Sequence, residues 1–303
     1  MEHSTENSDI LNTLSTQMAN AVEHVGPALV TVNGRRRQAA SGVMWKAGLV
    51  LTADHVLERE EDLTVGTHDG QTLAAELAGR DPSSDLALLR VAGLGAEAPT
   101  WAEGAARVGQ LLLAVGRPSE EGPMASLGIV SAVGGPLRTG RGGMLERYIR
   151  TDAIPYPGFS GGPLVDVQGA ILGIMTTGLV NGVALGIPAE AASRVAETLE
   201  EHGQIRRGYL GISSQPVRLP EGQRGGLPQE SGLLIVRVEE DSPAARAGLL
   251  LGDILVALDG EAVSDTGELQ VRLTGSRVGT TVPVEVIRGG TPQTVQVTVG
   301  QRG

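Results

Sequence analysis

The stretch "YPGFSGGPLVD", residues 156–166, places the only phenylalanine of the chain, Phe159, directly before a serine that is framed by glycines. Glycine has no Cβ atom and reaches backbone angles that other residues avoid, so the backbone around Ser160 is open to close approach. The stretch predicts either an accessible nucleophilic serine or a tight glycine turn between two strands. Residues elsewhere in the chain decide between these interpretations.

Length and composition limit the possible classes of protein. The chain has 303 residues, more than one compact core usually holds, so we expect two domains. A hydrophobic fraction of 41% and 44 glycines are typical of a globular protein with short strands and tight turns. The net charge of −11 argues against sequence-independent binding of nucleic acid, which needs Lys and Arg to neutralise phosphates. The absence of cysteine excludes disulfides, a cysteine nucleophile and thiolate metal sites.

The hydrophobic pattern divides the chain into a helix, a long β-rich region and a tail. Apolar residues recur at helical spacing over residues 9–25. Nine or more short β-rich segments follow between residues 28 and 187, and that number predicts sheets closed into barrels. A second helix is expected from Pro188 to its terminator Gly203. The predicted boundaries are an N-terminal helical segment over 1–20, a first domain over 21–204 and a second domain over 205–303.

The tail has its own helix and strand signals. In "DSPAARAGL", residues 241–249, Ser242 can cap a helix, Pro243 suits its first turn and Gly248 suits its end. Valines alternate across a glycine turn over residues 282–299, which is typical of a hairpin. The tail is therefore predicted to be a small domain with two helices over a sheet.

Two further residues are candidates for chemistry with Ser160. Of five histidines, only His55 follows a strand-like apolar run, in "GLVLTADHVLE". Asp85 begins the run "DLALLRV", where an aspartate is more often a turn residue. Taken together, the three occur in the order His, Asp, Ser. That order agrees with the chymotrypsin arrangement and not with the subtilisin or α/β-hydrolase orders.

The motifs "LTADHV", "DLALLRV" and "GFSGGPLVD" together resemble the HtrA (Deg) family of trypsin-like serine proteases, and "RGYLGI" in the tail resembles a bacterial PDZ domain. The resemblance implies a mainly β fold, with a chymotrypsin-like double β-barrel protease domain followed by a small α+β PDZ domain. It implies that Ser160 attacks a substrate carbonyl, that His55 takes the serine proton and that Asp85 fixes the tautomer of His55. The N–H groups of Gly158 and Ser160 would form the oxyanion hole.

The resemblance also implies a primary substrate pocket. Its predicted walls are Ile154, Pro155, Leu185 and Ile187. Aliphatic walls of this kind suit a small or medium aliphatic side chain and give broad selectivity. An extended substrate would pair through its main chain with the strand near "NGVALG", residues 181–186.

In the PDZ-like tail, the resemblance implies a loop that receives the C-terminal carboxylate of a peptide. The predicted loop residues are Tyr209, Leu210, Gly211 and Ile212. Backbone N–H groups are the donors that such loops use. A plain turn at the start of a strand is the alternative interpretation.

Two residues depart from the family pattern. Phe159 stands where the related enzymes usually carry Asn or Asp, and we expect it to affect the orientation of the Gly158–Phe159 peptide. Asp54 stands where a small residue normally precedes the histidine. A second carboxylate there either competes for the N–H of His55 or faces outward.

These features predict an ATP-independent serine endopeptidase of protein quality control, acting on unfolded or damaged proteins, with a PDZ domain that binds peptide C-termini for recruitment or regulation. Two alternatives stay open: a proteolytically silent peptide-binding or chaperone-like scaffold on the same fold, and an esterase that uses the same triad. We expect no cofactor and no metal site, because the histidines are scattered and cysteine is absent.

The expected partners are polypeptides, with no nucleic acid and no membrane span. The N-terminus lacks a basic region followed by an apolar one, which predicts a cytoplasmic protein as written, or an extracytoplasmic one if a leader has been removed. The resemblance implies a homo-trimer, although the usual aromatic contacts near the N-terminus are missing.

Overall fold

The computed structural model describes residues 2–95, 97–139, 144–180, 183–205, 208–224, 229–273 and 277–301. The chain divides into two compact units, Met1–Ile205 and Arg206–Gly303. Each unit buries a hydrophobic core of its own.

The first unit begins with helix α1, Glu2–Val25, and continues into a closed six-stranded antiparallel barrel. Its strands are β1 (Leu29–Asn33), β2 (Ala40–Lys46), β3 (Leu49–Ala53), β4 (Leu63–Gly66), β5 (Thr72–Asp81) and β6 (Leu86–Val91). Valine and leucine dominate β1, β3 and β6, and their side chains are buried. The barrel closes because β1 pairs with both β2 and β4.

A second closed barrel completes the first unit. Its six strands are β7 (Leu111–Gly116), β8 (Met124–Gly134), β11 (Tyr148–Thr151), β12 (Pro163–Val165), β13 (Ile171–Val180) and β14 (Val183–Pro188). Between β8 and β11, the short strands β9 (Leu137–Arg138) and β10 (Met144–Leu145) form a separate two-stranded sheet. Helix α2, Ala189–His202, follows β14 directly. It ends at Gly203, whose φ of 70° is the left-handed conformation that stops helices.

Helix α1 is longer than its apolar pattern predicts. The pattern marks residues 9–25, whereas the helix starts at Glu2. The C-terminal part contributes to the hydrophobic core of the first unit: Ala21 and Val25 are buried in it and Met18 packs against it. The polar segment "EHSTENS" carries no core periodicity, so an apolar pattern gives no sign of this first part of the helix.

The second unit is a small α+β domain. Its strands are β15 (Gly208–Tyr209), β16 (Ile212–Arg218), β17 (Ser231–Val238), β18 (Ile254–Leu258), β19 (Glu261–Ala262), β20 (Thr281–Arg288), β21 (Thr291–Thr298) and β22 (Gly300–Gln301), and its helices are α3 (Pro243–Ala247) and α4 (Thr266–Arg272). The main sheet has the order β16-β17-β18-β20-β21, so β16 forms one edge. The predicted caps of α3 are present, with the hydroxyl of Ser242 accepting the N–H of Ala245.

These elements confirm the expected mainly β architecture, a double β-barrel followed by a small α+β domain. In the part of the chain that the structure describes, no helix is long and apolar enough to cross a membrane.

Candidate active site

His55 and Asp85 form a directly bonded pair. His55 lies in a short 3-10 helix after β3, and Asp85 directly precedes β6, the strand that pairs with β3. Oδ2 of Asp85 lies 2.6 Å from Nδ1 of His55, and Oδ1 accepts the backbone N–H of His55 at 2.8 Å. Because an ionised carboxylate only accepts, Nδ1 carries the hydrogen and Nε2 is left as an acceptor.

Two residues of β13 enclose this pair. The hydroxyl of Thr176 donates to Oδ2 of Asp85, and the same hydroxyl oxygen accepts the N–H of Gly178 at 2.9 Å. A Cβ atom on Gly178 would lie 2.5 Å from Nδ1 of His55 and 2.7 Å from Oδ2 of Asp85. Glycine is required at 178 because the imidazole approaches the backbone too closely for a side chain.

Ser160 lies beside the same segment of β13. Its hydroxyl oxygen is 3.1 Å from the hydroxyl oxygen of Thr177, and its side chain is almost fully buried. The consecutive residues 176–178 therefore contact Asp85, Ser160 and His55, in that order. The structure shows the His55–Asp85 bond directly, whereas the hydroxyl of Ser160 is turned toward Thr177. The catalytic roles of the three residues stay a prediction.

The turn Tyr156–Phe159 precedes the serine. The N–H of Phe159 donates to the carbonyl of Tyr156 at 3.0 Å, and Pro157 and Gly158 occupy the two central positions. A φ of +86° at Gly158 after a proline is typical of a type II turn. Among the described residues, the N–H groups of Gly158 and Ser160 donate to no backbone or side-chain acceptor. Both are available to an oxyanion.

Phe159 is a core residue of the second barrel. Its side chain is fully buried, and its ring meets that of Tyr156 edge to face at 5.4 Å between centroids. A Cβ atom on Gly116 would lie 2.7 Å from the ring, so the glycine on β7 makes room for it. Phe159, which replaces the Asn or Asp usual in the family, thus anchors the turn in the core by apolar packing.

Asp54 is buried, and the outward-facing alternative is therefore wrong. Its side chain is 1% exposed, and Nε of Arg80 lies 2.6 Å from its Oδ1. A carboxylate taken out of water needs such a partner. Arg80 also bonds Glu60 at 2.8 Å. Burial lowers the pKa of Arg80, but its hydrogen bonds to Asp54 and Glu60 outweigh burial and raise that pKa above its usual value.

The four predicted pocket residues fall into two groups. Ile154 and Pro155 are exposed beside the turn before the serine, with Ile154 at 55%. Leu185 and Ile187 on β14 are buried in the hydrophobic core. The assignment of all four to a substrate pocket stays a prediction. Of the strand near residues 181–186, Val183 onward belongs to β14, and Asn181 and Gly182 lie outside the described residues.

The predicted peptide-binding loop of the second unit lies at the start of edge strand β16. Gly211 has a φ of +81°, and a Cβ atom there would collide with the side chain of Ser242. The carbonyls of Leu210 and Gly211 accept the N–H groups of Ala244 and Glu239, each at 2.8 Å. Within the described residues, the N–H groups of Leu210 and Gly211 donate to no acceptor. In the described part of this unit, the loop therefore presents unpaired N–H donors next to the edge strand β16.

Tyr209 and Ile212 flank these two residues. Tyr209 donates its hydroxyl to Glu239, and Ile212 opens β16 opposite Val238. Tyr209 thus contacts the residue that follows β17, and Ile212 contacts the last residue of β17. The role of the four residues in binding a peptide stays a prediction.

Sequence reasoning did not identify Ser41, Thr176, Thr177 or Gly178. The only signal near three of them is the small-residue run "TTG" at the end of a β-rich segment, which by itself indicates a strand end. Among the described residues, no three His, Asp or Glu side chains are grouped so as to hold a metal ion.

The double barrel, with the predicted residues 55, 85 and 160 gathered at one segment of β13, has the architecture of trypsin-like peptidases, and a small α+β domain follows it. The Trypsin-like peptidase domain family matches residues 40–174, and the PDZ domain family matches residues 208–299.

Curated relatives extend the match over nearly the whole chain. The serine endoprotease DegS of Escherichia coli (strain K12) is 31% identical over 92% of this chain and 84% of its own length. The chain belongs to the HtrA (Deg) family of trypsin-like serine proteases. A probable periplasmic serine endoprotease, DegP-like, from Ectopseudomonas mendocina is 35% identical over 88% of this chain. The chain spans 58% of the length of that relative.

Solved structures show the same architecture. The HtrA-type protease AlgW with decapeptide aligns with a TM-score of 0.79 at 30% identity, covering 94% of this chain and 99% of that chain. The serine endoprotease from Yersinia pestis aligns with a TM-score of 0.78 at 31% identity, covering 94% of this chain and 98% of the other.

Proposed function

We propose that this protein is an ATP-independent serine endopeptidase in which Ser160 is the nucleophile, His55 the general base and Asp85 the residue that orients His55. The proposal is carried by one observation: the three consecutive residues 176–178 contact all three side chains. Three residues drawn from both barrels thus converge on one short segment. The names of the relatives, serine endoproteases, support the same reaction.

The proposed reaction begins with a rotation of the serine side chain. In the resting arrangement Ser160 Oγ bonds Thr177. It turns about χ1 toward Nε2 of His55, attacks the scissile carbonyl carbon and gives its proton to Nε2. Asp85 holds the imidazole through Nδ1–H and stabilises the imidazolium that forms. The carbonyl oxygen becomes an oxyanion that the N–H groups of Gly158 and Ser160 receive.

Collapse of this intermediate breaks the peptide bond. His55 returns the proton to the leaving amine, and Ser160 keeps the acyl group as an ester. Water then enters, His55 takes its proton, and the same steps in reverse order release the carboxylic acid and restore the serine. The protein supplies every proton transfer in this cycle, so no cofactor is called for.

The proposed substrates are unfolded or damaged polypeptides, for which the protein would act in quality control. An extended chain that pairs with a strand uses main-chain bonds, which any unfolded sequence offers. The exposed aliphatic side chain of Ile154 beside the turn favours a small or medium aliphatic residue at the cleaved bond.

The second unit is proposed to bind peptide C-termini for recruitment or regulation. The free N–H groups of Leu210 and Gly211 support a carboxylate site, and the edge position of β16 supports addition of a peptide strand. Gly211→Ala should abolish binding of a labelled peptide by the full chain, because the added Cβ collides with Ser242. Gly222→Ala, which meets nothing within 4 Å, is the control and should bind like the wild type.

The location proposed is extracytoplasmic, in line with the periplasmic location in the names of the DegP-like relatives. The proposed assembly is a homo-trimer, as the family resemblance implies. Sedimentation of the full chain tests the assembly, and a monomer at micromolar concentration contradicts it.

A proteolytically silent scaffold is the alternative, and the contact of Ser160 with Thr177 instead of His55 is the observation that favours it. Digestion of casein by the wild type, Ser160→Ala and the exposed control Ser131→Ala separates the two functions. The endopeptidase predicts cleavage by the wild type and Ser131→Ala only, with a serine-reactive phosphonate bound at Ser160. Equal absence of cleavage in all three proteins identifies the scaffold.

A further inference from the structure

Ser41 connects three chain segments at the back of the serine loop. It lies on β2 of the first barrel and is completely buried. Its Oγ donates to the carbonyl of Gly158 at 2.7 Å and accepts the N–H of Arg117, at the end of β7, at 2.8 Å. Its own N–H donates to the carbonyl of Ser160 at 3.2 Å. One residue of the first barrel thus holds both carbonyls that flank Phe159.

The direction of the hydroxyl proton follows from these partners. A backbone N–H can only donate and a carbonyl can only accept. Ser41 Oγ therefore receives the hydrogen of Arg117 and sends its own hydrogen to Gly158. The hydroxyl therefore has one possible orientation. In that orientation the Arg117 N–H, the Ser41 hydroxyl and the Gly158 carbonyl are all hydrogen-bonded. A buried group satisfied in this way is costly to release.

The glycines of the "SGG" run make this approach possible. A Cβ atom on Gly161 would collide with the carbonyl of Ser41, and one on Gly162 would lie 3.3 Å from the Cβ of Ser41. The serine loop therefore lies directly on Ser41. The two glycines serve contact with β2 as well as open access to the nucleophile.

Three bonds hold the peptide that carries the Ser160 donor and the two peptides on either side of it. The Gly158 donor belongs to the Pro157–Gly158 peptide, which is joined at the Cα of Gly158 to the first of these three. Gly158 O is held by the Ser41 hydroxyl, and Ser160 O by the Ser41 N–H. Phe159 O is held by the N–H of Gly162 at 2.9 Å, and the N–H of Ser160, in the same peptide, points the opposite way. Ser41 supplies two of these three anchors.

We propose that Ser41 is a positioning residue for the oxyanion hole, acting through Gly158 and Ser160 without touching substrate. This inference rests on the proposed endopeptidase function. It goes beyond that function in assigning the preorganisation of the donors to a residue outside the serine motif. Preorganised donors are effective because they need no rearrangement when charge develops on the substrate.

The test compares Ser41→Ala with a matched control, Thr31→Val. Thr31 is a buried residue of the neighbouring strand β1 whose hydroxyl donates to the carbonyl of Arg117 at 2.9 Å. Each variant deletes one buried hydroxyl that bonds the backbone of Arg117. Of the two hydroxyls, only that of Ser41 also bonds the serine loop. Both should lower the melting temperature to a similar extent. Their effects on kcat and on amide exchange in residues 156–162 should differ.

We expect Ser41→Ala to lower kcat by about 10- to 100-fold, as small misplacements of catalytic groups do. KM should change less than twofold, and hydrogen exchange in residues 156–162 should accelerate. Thr31→Val should leave all three quantities near those of the wild type. Equal losses in both variants, or unchanged exchange in Ser41→Ala, overturn the inference. A wild type that does not cleave casein overturns the proposed function itself, and the exchange comparison still reports whether Ser41 holds the loop.

Discussion

Gly178 lies so close to His55 that a Cβ atom on it would be 2.5 Å from Nδ1 of the imidazole. Gly178→Ala should therefore displace the ring and weaken its bond to Asp85. We expect kcat for peptide cleavage to fall by about 100-fold, the effect of a misplacement near 1 Å. The control is Gly26→Ala, where nothing lies within 4 Å of the added atom. Equal kinetics for Gly178→Ala and the control would show that the imidazole does not need this approach.

Thr176 and Thr177 are adjacent but should respond to the same substitution in different ways. Thr176→Val removes a donor from the buried carboxylate of Asp85. We expect kcat to fall about tenfold or more, because a hydrogen bond to a charged group contributes about 1.5 kcal/mol or more. Single-turnover kinetics of Thr176→Val and the wild type measure the loss of cleavage rate. A Thr176→Val enzyme as fast as the wild type contradicts the expectation.

Thr177→Val releases the hydroxyl of Ser160. A bond between two neutral hydroxyls contributes about 0.5–1.5 kcal/mol, so labelling of Ser160 by a phosphonate should accelerate by about two- to tenfold. The residue is exposed, so the fold should tolerate the change. Slower labelling than in the wild type would mean that Thr177 assists the serine instead of restraining it.

Phe159 should contribute to stability as a core residue. Phe159→Ala should lower the free energy of unfolding of the first unit by about 3–5 kcal/mol, the usual cost of deleting a buried phenylalanine ring. Urea denaturation of the full chain measures the loss. Tyr156→Phe keeps the edge-to-face ring pair and should change the stability little. A loss below about 1 kcal/mol in Phe159→Ala would mean that the barrel collapses into the vacated space.

The second unit should lose stability in acid through the pair of Asp253 and Arg288. Burial raises the pKa of Asp253, but the hydrogen bonds from Arg288 and Leu250 outweigh it and hold that pKa below its usual value. A carboxyl group whose folded pKa is lowered stabilises the fold above its unfolded pKa, and this stability is lost as pH falls through the folded pKa. The loss should therefore begin below about pH 4.

Arg288→Met tests this pair. It should lower the melting temperature of the second unit at pH 7, and the difference from the wild type should shrink toward pH 2 as Asp253 becomes protonated. Arg237→Met, at an exposed position of β17, serves as the control. A difference that is equally large at pH 2 and pH 7 excludes the ion pair as its cause.

The sequence predicted most strands of both barrels, but no predicted segment covers β4, β5 or β12, of which β5 is the longest. The segment "TLAAELAGRD" contains three alanines and two acidic residues, which favour a strand weakly, and no strand was predicted there. It is a strand because it pairs with β4 and β6 and completes the barrel. Strand preference depends on such neighbours, which a local pattern does not contain.

For the site, the sequence was informative where the chemistry of single residues is distinctive. His55, Asp85, Ser160 and Gly158 were predicted as candidates because a nucleophile, a base, an orienting carboxylate and a glycine turn have recognisable residue types. Asp54 could not be interpreted from sequence, because its partner Arg80 lies 26 residues away on β5. Its burial follows from barrel closure and not from any local signal.

By itself, the sequence determined the class of fold, the three candidate catalytic residues and the helix caps of the second unit, because each depends on residue type and short-range spacing. Only the tertiary structure decided that residues 176–178 contact all three catalytic candidates and that Ser41 lies behind the serine loop. Apart from the bond between Thr177 and Ser160, these contacts join segments of different barrels. Closing each barrel fixes which side chains meet, and that depends on the register of pairing between segments far apart in the chain.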